Sequence, residues 1–356
     1  MPQPIHGASL MGQYIRNSNL INENFSCKFF NLSTAKTVER MGFSFTRIPI
    51  YCVQVLKILF SIVKFKPDLI YWTPSAGGLS FFLRDFPLYL FSKVHKCKYI
   101  FHYHNKGVRK GKFCSKIYKV FLKDNFIILL GKELQKEFEP YVDTKKIFIC
   151  ANGIPQLVKR NYCFKEKFKK TNVNFLFLSN LIIEKGIFVL LDACEKLAAM
   201  NIQFECNIVG AETSELTSIS LKNEIDRRQL SGIVNYLGKK YDDDKISCFE
   251  STDVFVFPTY YSNECCPLVL IEAMQFSLPC ISSAVGVIPS MIENGENGYI
   301  IPIRDSEALF ERMKILAEDP QLRNTMGKKA YSKYQEFYSL KAFEERIMNI
   351  FQNILN

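Results

Sequence analysis

Short apolar runs alternate with longer stretches of helical periodicity along the whole chain. The apolar runs predict strands in the first half at 27–32, 68–72, 99–103, 126–130 and 147–150. In the second half they predict strands at 175–178, 205–209, 234–237, 254–257, 280–282 and 299–301. Helical patterns fall between them, for example at 53–65, 115–123, 132–141, 187–200, 213–229, 267–276 and 306–319. Strands that alternate with helices build parallel sheets covered on both faces. The two series therefore predict an α/β fold with two doubly wound, Rossmann-like domains.

The boundary between the two series falls at a turn. Asn152, Gly153 and Pro155 are turn-forming residues that end the first series. We therefore predict a first domain at 1–157, a second at 158–338, and a C-terminal helix within 339–356 that returns to the first domain.

The first domain opens in an unusual way. Residues 1–9, MPQPIHGAS, read as a loop that leads into a helix, with no apolar strand before it. A doubly wound sheet ordinarily begins with a strand that feeds such a loop. We expect the first strand of this domain to be missing, either because the true start codon lies upstream or because the chain is naturally truncated.

Composition favours a globular protein in a reducing compartment. The chain has 356 residues, 48% of them hydrophobic, and 12 scattered cysteines without C-x-x-C or zinc-ligand spacing. The opening residues lack the apolar segment of a signal peptide. The runs nearest to the ~18 residues that a spanning helix needs, 51–65 and 79–92, are interrupted by charged residues. We expect a cytoplasmic protein.

Positive charge is concentrated in the first half. Residues 1–160 hold 25 Lys/Arg against 9 Asp/Glu, whereas residues 161–356 hold 21 against 26. Ten basic residues and no acidic one lie between Lys93 and Lys123. Such a face attracts the phosphates of nucleic acid, anionic lipid or a charged substrate, and the alternative is a solvated basic surface. A nucleic-acid partner is not favoured, because no recognition motif is visible and the segment is not interleaved for base stacking.

Two carboxylates in the stretch NECCPLVLIEAM (263–274) are candidates for a binding site. Pro267 suits the first turn of a helix, which places Glu264 in the preceding loop and Glu272 inside an apolar helix. A buried carboxylate needs a partner, which could be protein, water or a ligand. The N–H groups at the helix start could bind a phosphate between the two acids. This arrangement suits a nucleotide sugar, and the alternative is a Glu hydrogen-bonded to backbone.

Several motifs in a fixed order resemble the family-4 (group 1) glycosyltransferases of the GT-B fold, in which two domains face each other across a cleft. The E-x7-E pattern is E264-CCPLVLI-E272-AM, followed by AVG286 and ENGENG298. The opening P-x-P-x-H-G-A-S, KYIFHYHNKG (98–107), ICANGIP (149–155), FLSNLIIEKGI (177–187), VNYLG (234–238) and DVFVFPT (253–259) complete the set. The resemblance covers nearly the whole chain.

The resemblance implies a role for each matching residue. Glu272 is expected to bind the ribose hydroxyls of the nucleotide, in place of a partner from the polypeptide. Glu264 is expected to face the transferred sugar, Lys185 to neutralise the donor diphosphate, and His104, or less favourably His102, to contact the transferred sugar. We assign His104, Glu264 and Lys185 to catalysis. The expected donor-binding residues are Glu272, Gly7, Asn180, Pro267, Leu268 and Val269.

The chain departs from the family pattern at three places. Asn180 stands where the family commonly has an Arg, so neutralisation of the diphosphate relies more on Lys185. Ser277 replaces the usual Gly after the E-x7-E helix, and Val285 replaces the first of two glycines. None of these changes removes a group that must do the chemistry.

A possible metal motif is better explained as a helix cap. Asp242, Asp243 and Asp244 contain the D-x-D of metal-dependent transferases. They also precede a helical stretch, where acidic residues are favoured. We predict no metal site and no cofactor.

The resemblance implies a retaining, metal-independent glycosyltransferase with a UDP- or GDP-sugar donor and a glycan or lipid-linked acceptor. We expect it to act in the synthesis of surface polysaccharide (lipopolysaccharide, O-antigen or capsule), peripheral to the inner face of the membrane. The predicted membrane-docking residues are Lys106, Arg109, Lys110, Lys112, Lys116 and Lys119. The alternative is a catalytically silent nucleotide-sugar or glycan-binding protein of the same fold.

Overall fold

The structure, a computed structural model, describes residues 7–32, 48–75, 81–95, 97–108, 111–158 and 172–356, with the side chains of Lys112 and Phe113 excepted. The chain divides into two compact units. Unit 1 comprises Met1–Gly153 and Leu340–Asn356, and unit 2 comprises Ile154–Ser339. The division falls before the predicted end of the first domain at 157. The reason is that Ile154 donates its N–H to the carbonyl of Tyr338, a bond within unit 2.

Unit 1 is a parallel sheet with helices packed around it. Its described strands are β1 (Leu69–Trp72), β2 (Lys98–Tyr103), β3 (Phe126–Leu129) and β4 (Ile147–Ile149), which lie side by side in that order. Its described helices are α1 (Gly7–Asn17), α2 (Asn19–Asn24), α3 (Ile48–Phe65), α4 (Phe86–Ser92), α5 (Lys112–Leu122), α6 (Gln135–Phe138) and, from the C-terminus, α14 (Leu340–Leu355). The core is aromatic: Phe101 of β2 stacks on Phe121 of α5 with ring centroids 4.1 Å apart.

The C-terminal helix α14 belongs to unit 1. Phe351 packs edge-on against Tyr71 of β1 with ring centroids 5.5 Å apart. Lys98 at the start of β2 donates from Nζ to the carbonyl of Ile354, and Arg346 donates to the carbonyl of Ala151, 3.2 Å away. The tail is therefore fastened to the sheet by both apolar and polar contacts.

The strand predicted at 27–32 is wrong. These residues are assigned to no helix or strand and join no ladder, and Phe29 and Phe30 are exposed. A strand is stabilised by pairing with a neighbour. Among the described residues, β1 is the edge of the sheet and no strand pairs with its outer side. The prediction that no strand precedes the opening loop concerns residues 1–6, which lie outside the described part of the chain.

Helix α3 is unusually apolar for its position. Of the helices in the described ranges, it is the one that is long and apolar enough, by length and composition, to cross a membrane. It continues through Lys57 and Lys64, which in the sequence interrupt the apolar run. Tyr51, Ser61 and Ile62 are its buried residues.

Unit 2 is a larger parallel sheet. Its described strands lie in the order β10-β9-β8-β5-β6-β7. Their bounds are β5 (Val173–Leu178), β6 (Phe204–Val209), β7 (Val234–Tyr236), β8 (Val254–Phe257), β9 (Cys280–Ser283) and β10 (Gly298–Ile301). The described helices are α7 (Ile187–Ala199), α8 (Ser218–Arg227), α9 (Asp242–Glu250), α10 (Leu268–Gln275), α11 (Ile288–Met291), α12 (Ser306–Glu318) and α13 (Pro320–Lys333).

The order of these strands creates a switch point. From β5 the chain moves outward through β6 and β7, then returns to place β8 on the other side of β5. In doubly wound sheets, ligands bind beyond the carboxyl ends of the strands where the order reverses. The loops after β5 and β8 are therefore where this fold favours a ligand. The two-domain parallel α/β architecture predicted from the sequence is confirmed.

Candidate functional site

Two loops meet at the switch point of unit 2. The loop after β5 carries Lys185 in a short 3-10 turn, and the loop after β8 runs from Pro258 to Pro267. Gly186 follows Lys185 with φ +92°, and a Cβ there would lie 2.1 Å from the carbonyl oxygen of Pro258. Only glycine permits this approach, so Gly186 lets the two loops touch and fixes the place of Lys185.

Lys185 and Glu264 form an ion pair at this point. Lys185 Nζ lies 2.5 Å from Glu264 Oε2, and the side chains are 14% and 10% exposed. The same ammonium lies over the ring of Tyr261, 4.6 Å from its centroid, a favourable cation–π geometry. The pair is therefore largely shielded from solvent. Sequence reasoning assigned both residues to catalysis, and the structure brings them together.

The loop that carries Glu264 is held by a second glycine. Gly286 has φ +58°, and a Cβ there would lie 2.3 Å from the carbonyl oxygen of Cys265 and 2.7 Å from that of Glu264. Next to it, Val287 donates its N–H to the carbonyl of Cys265 at 2.8 Å. The backbone of Glu264 is thus set by direct contact with the turn after β9.

Helix α10 begins beside this loop. Pro267 has extended backbone (φ −69°, ψ 113°) and precedes the helix, which begins at Leu268, one residue later than predicted. Leu268 and Val269 are half-buried in its first turn. The N–H groups of a first helical turn favour an anion. The start of α10, just after Glu264 in the chain, therefore presents donors of this kind.

Glu272 has a protein partner, contrary to the expectation from sequence. Lys245 of α9 lies 2.7 Å from Glu272 Oε1 and 2.6 Å from Oε2. Burial raises the pKa of the Glu272 carboxyl, and the charge and hydrogen bond of Lys245 act against that rise. The polypeptide thus supplies the compensation that the sequence analysis assigns to a bound sugar ring. The carboxylate remains 16% exposed.

Asn180 and the three aspartates also lie in unit 2. Asn180 is exposed in the loop after β5. The aspartates Asp242, Asp243 and Asp244 occupy the first turn of α9, as predicted for a helix start. Within the described ranges, no group of three or more His, Cys, Asp or Glu residues is placed to hold a metal ion.

The histidines lie in unit 1, at the end of β2. His102 is fully buried, and Tyr71 Oη lies 2.7 Å from its Nδ1. Burial, and after it the neighbouring His104, hold the pKa of His102 well below its usual range. The His102 and His104 rings have centroids 4.1 Å apart. His104 follows the last residue of β2 and is half-buried, the more accessible of the two.

Gly7 is the first residue of α1. Among the described residues, a Cβ there would meet only Asn152 Nδ2, at 4.0 Å, so these residues leave space at this position. The residues that precede it, 1–6, lie outside the described ranges.

The predicted membrane-docking residues are only partly described. Lys116 and Lys119 are exposed on α5, and Lys106 is half-buried. Arg109 and Lys110, and the side chain of Lys112, lie outside the described part.

Sequence reasoning missed three residues that shape these sites. They are Lys245, Tyr261 and Tyr71. Each of them contacts a residue that is distant in the chain, or contacts it through the face or edge of a ring. Contacts of these kinds leave no regular spacing in the sequence. Lys245 lies in the first half of the α9 sequence, but nothing in the sequence indicates that it contacts Glu272.

Comparisons with known proteins agree with the fold. Residues 158–333 match the family model described as glycosyl transferases group 1. The chain is similar to the O-antigen chain mannosyltransferase C of Escherichia coli. It is 29% identical over 182 residues, which are 51% of this chain and 47% of that protein. The chain thus spans about half the length of this curated relative.

Two solved structures resemble the chain more completely. HepE of Anabaena in complex with UDP has a TM-score of 0.70 at 17% identity, covering 85% of this chain and 82% of that chain. The lipopolysaccharide outer core galactosyltransferase WaaB has a TM-score of 0.73 at 13% identity, covering 99% and 97%. At such identities the likeness shows the fold. Residues 158–333, within unit 2, therefore match the group 1 glycosyl transferases, and the chain has the GT-B fold.

Proposed function

We propose that this protein is a glycosyltransferase that moves a sugar from a UDP- or GDP-sugar to a glycan or lipid-linked acceptor. We place the reaction in the synthesis of surface polysaccharide, namely lipopolysaccharide, O-antigen or capsule. The observation that carries the proposal is the Lys185–Glu264 pair, 2.5 Å apart at the switch point of a group 1 glycosyl transferase domain. Support for the pathway comes from an O-antigen mannosyltransferase and a lipopolysaccharide galactosyltransferase among the similar proteins.

Lys185 is proposed to bind the donor diphosphate. An ammonium is a compact cation suited to phosphate, and the first turn of α10 adds N–H donors of the same polarity. Asn180 can donate a hydrogen bond but no charge, so the fixed positive charge comes from Lys185. A diphosphate neutralised in this way needs no divalent cation, and we propose metal-independent transfer.

Glu264 is proposed to face the transferred sugar. Glu264 accepts a hydrogen bond from Lys185. A diphosphate that binds the Lys185 ammonium competes with Glu264 for this partner. The carboxylate is then available to the hydroxyls of the sugar next to the phosphate. Because Lys185 and Glu264 are in contact, binding of the phosphate by one residue is coupled to binding of the sugar by the other.

Glu272 is proposed to hold the ribose hydroxyls of the donor. A carboxylate accepts hydrogen bonds best when it is ionised, and burial opposes ionisation. Lys245 counters that effect, and each carboxylate oxygen keeps further lone pairs for a ligand. The protein partner therefore supports the ligand role instead of replacing it.

The chemistry is proposed to proceed with retention, by attack on the face that the leaving group departs from. The bond from the anomeric carbon to the diphosphate oxygen breaks as the bond to the acceptor oxygen forms. The proton of the acceptor hydroxyl passes to the leaving phosphate. Lys185 and the α10 amides stabilise the charge that develops on the diphosphate. His104 is proposed to contact the transferred sugar, and Gly7 to leave room for the donor.

The acceptor side is proposed to involve unit 1. A lipid-linked acceptor would bring the protein to the inner face of the membrane from the cytoplasm. Exposed Lys116 and Lys119 on α5, together with Lys106, Arg109, Lys110 and Lys112, would face anionic headgroups.

Release of nucleotide from UDP- and GDP-sugars, with and without acceptor, tests the proposal. A transferase releases UDP or GDP faster when a glycan or lipid-linked acceptor is added. The alternative, a silent nucleotide-sugar or glycan-binding protein, binds donor or glycan without turnover. Binding without release supports that alternative and contradicts the proposal, as does the absence of both.

A further inference from the structure

Helix α3 presents an apolar stripe to solvent. Val53, Leu56, Phe60 and Val63 are between 50% and 70% exposed, with Phe60 at 70% and Leu56 at 66%. At about 100° per residue, these four positions fall within an arc of about 80° on one side of the helix. Monomeric proteins rarely expose a contiguous apolar surface of this kind without a function for it.

The opposite side of α3 is fastened to unit 1. Tyr51 and Ile62 are each 7% exposed. The Arg84 guanidinium lies over the Tyr51 ring, 5.7 Å from its centroid, and α3 packs against α4. The helix is therefore held near both of its ends by its own unit. This geometry favours a helix that lies along a surface, because crossing a bilayer would strip away these contacts.

Two lysines border the stripe on one flank. Lys57 and Lys64 are seven residues apart, both are exposed, and they lie between the apolar arc and the packed side. A lysine at such a flank can bury its stem and keep its ammonium among polar groups. This is the pattern of an in-plane amphipathic helix, with apolar residues in the acyl region and cations at the headgroups.

The neighbouring helix and the charge of the unit agree with this pattern. Phe91 in α4 is 64% exposed, and Val94, just after α4, is 83% exposed, with exposed Lys93 between them. Unit 1 holds 25 Lys/Arg against 11 Asp/Glu, a net charge of +14, whereas unit 2 holds 21 against 24. Such a charge favours an anionic surface and disfavours a second copy of the same unit.

We propose that the α3 stripe inserts in the plane of an anionic lipid bilayer and anchors unit 1 there. This surface is separate from the basic residues of α5, and it contributes apolar insertion, which salt does not screen. The proposal does not depend on which sugar is transferred, or on whether transfer occurs.

The test is flotation with phosphatidylcholine vesicles, with and without phosphatidylglycerol, at low and high salt. The double variant Leu56→Ser/Phe60→Ser removes two exposed side chains and should leave the fold intact. We expect its binding to anionic vesicles at high salt to fall about tenfold or more. Ile219→Ser, which changes a 71% exposed residue on α8 of unit 2, should bind like the unchanged protein. Lys57→Gln/Lys64→Gln should weaken binding mainly at low salt.

Depth of insertion gives a second readout. Phe60→Trp should be quenched by brominated lipid, and Ile219→Trp should not. The proposal is overturned if high salt abolishes all vesicle binding, or if the serine variant binds as well as the unchanged protein. It is also overturned if sedimentation shows that the stripe joins two copies and no vesicle binding occurs. Resistance to alkaline carbonate extraction would indicate a spanning helix and would equally contradict it.

Discussion

Lys245 on α9 holds both carboxylate oxygens of Glu272 on α10, at 2.7 and 2.6 Å. The pair joins two helices that are separated by strand β8 in the chain. A carboxylate within an otherwise apolar helix is thereby kept next to a fixed positive charge. In the proposed function, this contact makes Glu272 an acceptor for ribose hydroxyls at neutral pH.

Replacing Lys245 by Met should weaken donor binding and change its pH dependence. Burial already raises the pKa of Glu272, and the lysine opposes that rise. Its loss raises the pKa further, so the carboxylate becomes protonated at a higher pH as the pH falls. We expect the acidic limb of UDP or GDP binding to move upward, with affinity at neutral pH about tenfold lower, since a charge-assisted hydrogen bond is worth about 1.5–3 kcal/mol.

The measurement is calorimetric titration of UDP and GDP across a pH series. Lys328→Met, at an exposed position on α13, is the matched control and should leave the limb unchanged. Lys245→Arg should restore most of the affinity. If the acidic limb of nucleotide binding does not shift in Lys245→Met, then Lys245 does not influence the binding site.

Gly286 should be essential for the position of Glu264. In Gly286→Ala the new Cβ would press on the carbonyl oxygens of Cys265 and Glu264, at 2.3 and 2.7 Å. We expect unfolding to become easier by about 2 kcal/mol or more and donor turnover to fall because Glu264 is displaced. Thermal unfolding and nucleotide release measure the two effects.

Gly295 provides the control for backbone strain alone. It also has positive φ, +84°, but a Cβ there meets nothing within 4 Å. Gly295→Ala should therefore cost only about 1 kcal/mol, the penalty of an alanine in the left-handed region, and should keep its turnover. Equal losses of turnover in both variants would mean that contact with the Glu264 loop does not matter.

Ser277 stands where the helix end requires an unusual backbone. It follows α10 with φ +53°, the conformation in which glycine is preferred after a helix. The family resemblance has Gly at this place. We expect Ser277→Gly to stabilise unit 2 by up to about 1 kcal/mol, measured by chemical denaturation.

The comparison for Ser277 is Asn201, which has φ +56°. Asparagine tolerates the left-handed region better than serine does. Asn201→Gly should therefore change stability less. If Ser277→Gly destabilises the protein, the Ser277 hydroxyl must make a stabilising contact that outweighs backbone strain.

His102 should make unit 1 less stable in mild acid. Burial and the neighbouring His104 hold its pKa well below the usual range, whereas in the unfolded chain histidine titrates near pH 6.5. Below about pH 6.5 the unfolded state therefore binds more protons than the folded state does. The free energy of unfolding is at its full value above that pH and falls as the pH drops toward the pKa of His102 in the folded protein.

Trp72, the single tryptophan, is buried in β1 and reports on unit 1 alone. Urea unfolding followed by its fluorescence should show a falling midpoint below about pH 6.5. His102→Gln keeps a side chain that can hydrogen-bond to Tyr71 but does not titrate, so its midpoint should depend less on pH. The same slope in both proteins would assign the acid sensitivity to other groups.

Much of the fold could be predicted because its strands are continuous apolar runs. The strand at Val254–Phe257 has the bounds that the sequence predicts, and the helix at Leu340–Leu355 lies within the predicted range 339–356. Both elements are defined by their own residues, through an unbroken buried run and a regular amphipathic period. The segment at 27–32 has a strand-like pattern too, but pairing depends on a neighbour that local sequence does not reveal.

The residues of the site that belong to ordered motifs could be predicted from the sequence. The contacts between those residues could not. The positions of Lys185 and Glu264 follow from motifs, yet their ion pair joins two loops 79 residues apart in the chain. The Lys245 partner of Glu272 follows from the packing of α9 beside α10. Packing of this kind is decided by the whole sheet, so no spacing rule indicates it.

The central claim is that the switch point of unit 2 holds a nucleoside diphosphate through Lys185. Calorimetric titration of UDP and GDP in the presence of a chelator, with the unchanged protein and Lys185→Met, tests it most directly. Lys196→Met, which removes the partner of Glu307 in a more exposed ion pair, is the control. The account predicts saturable binding of one of the two nucleotides without metal, at least about tenfold weaker in Lys185→Met and unchanged in the control. Absence of binding, or equal binding by Lys185→Met, would contradict it.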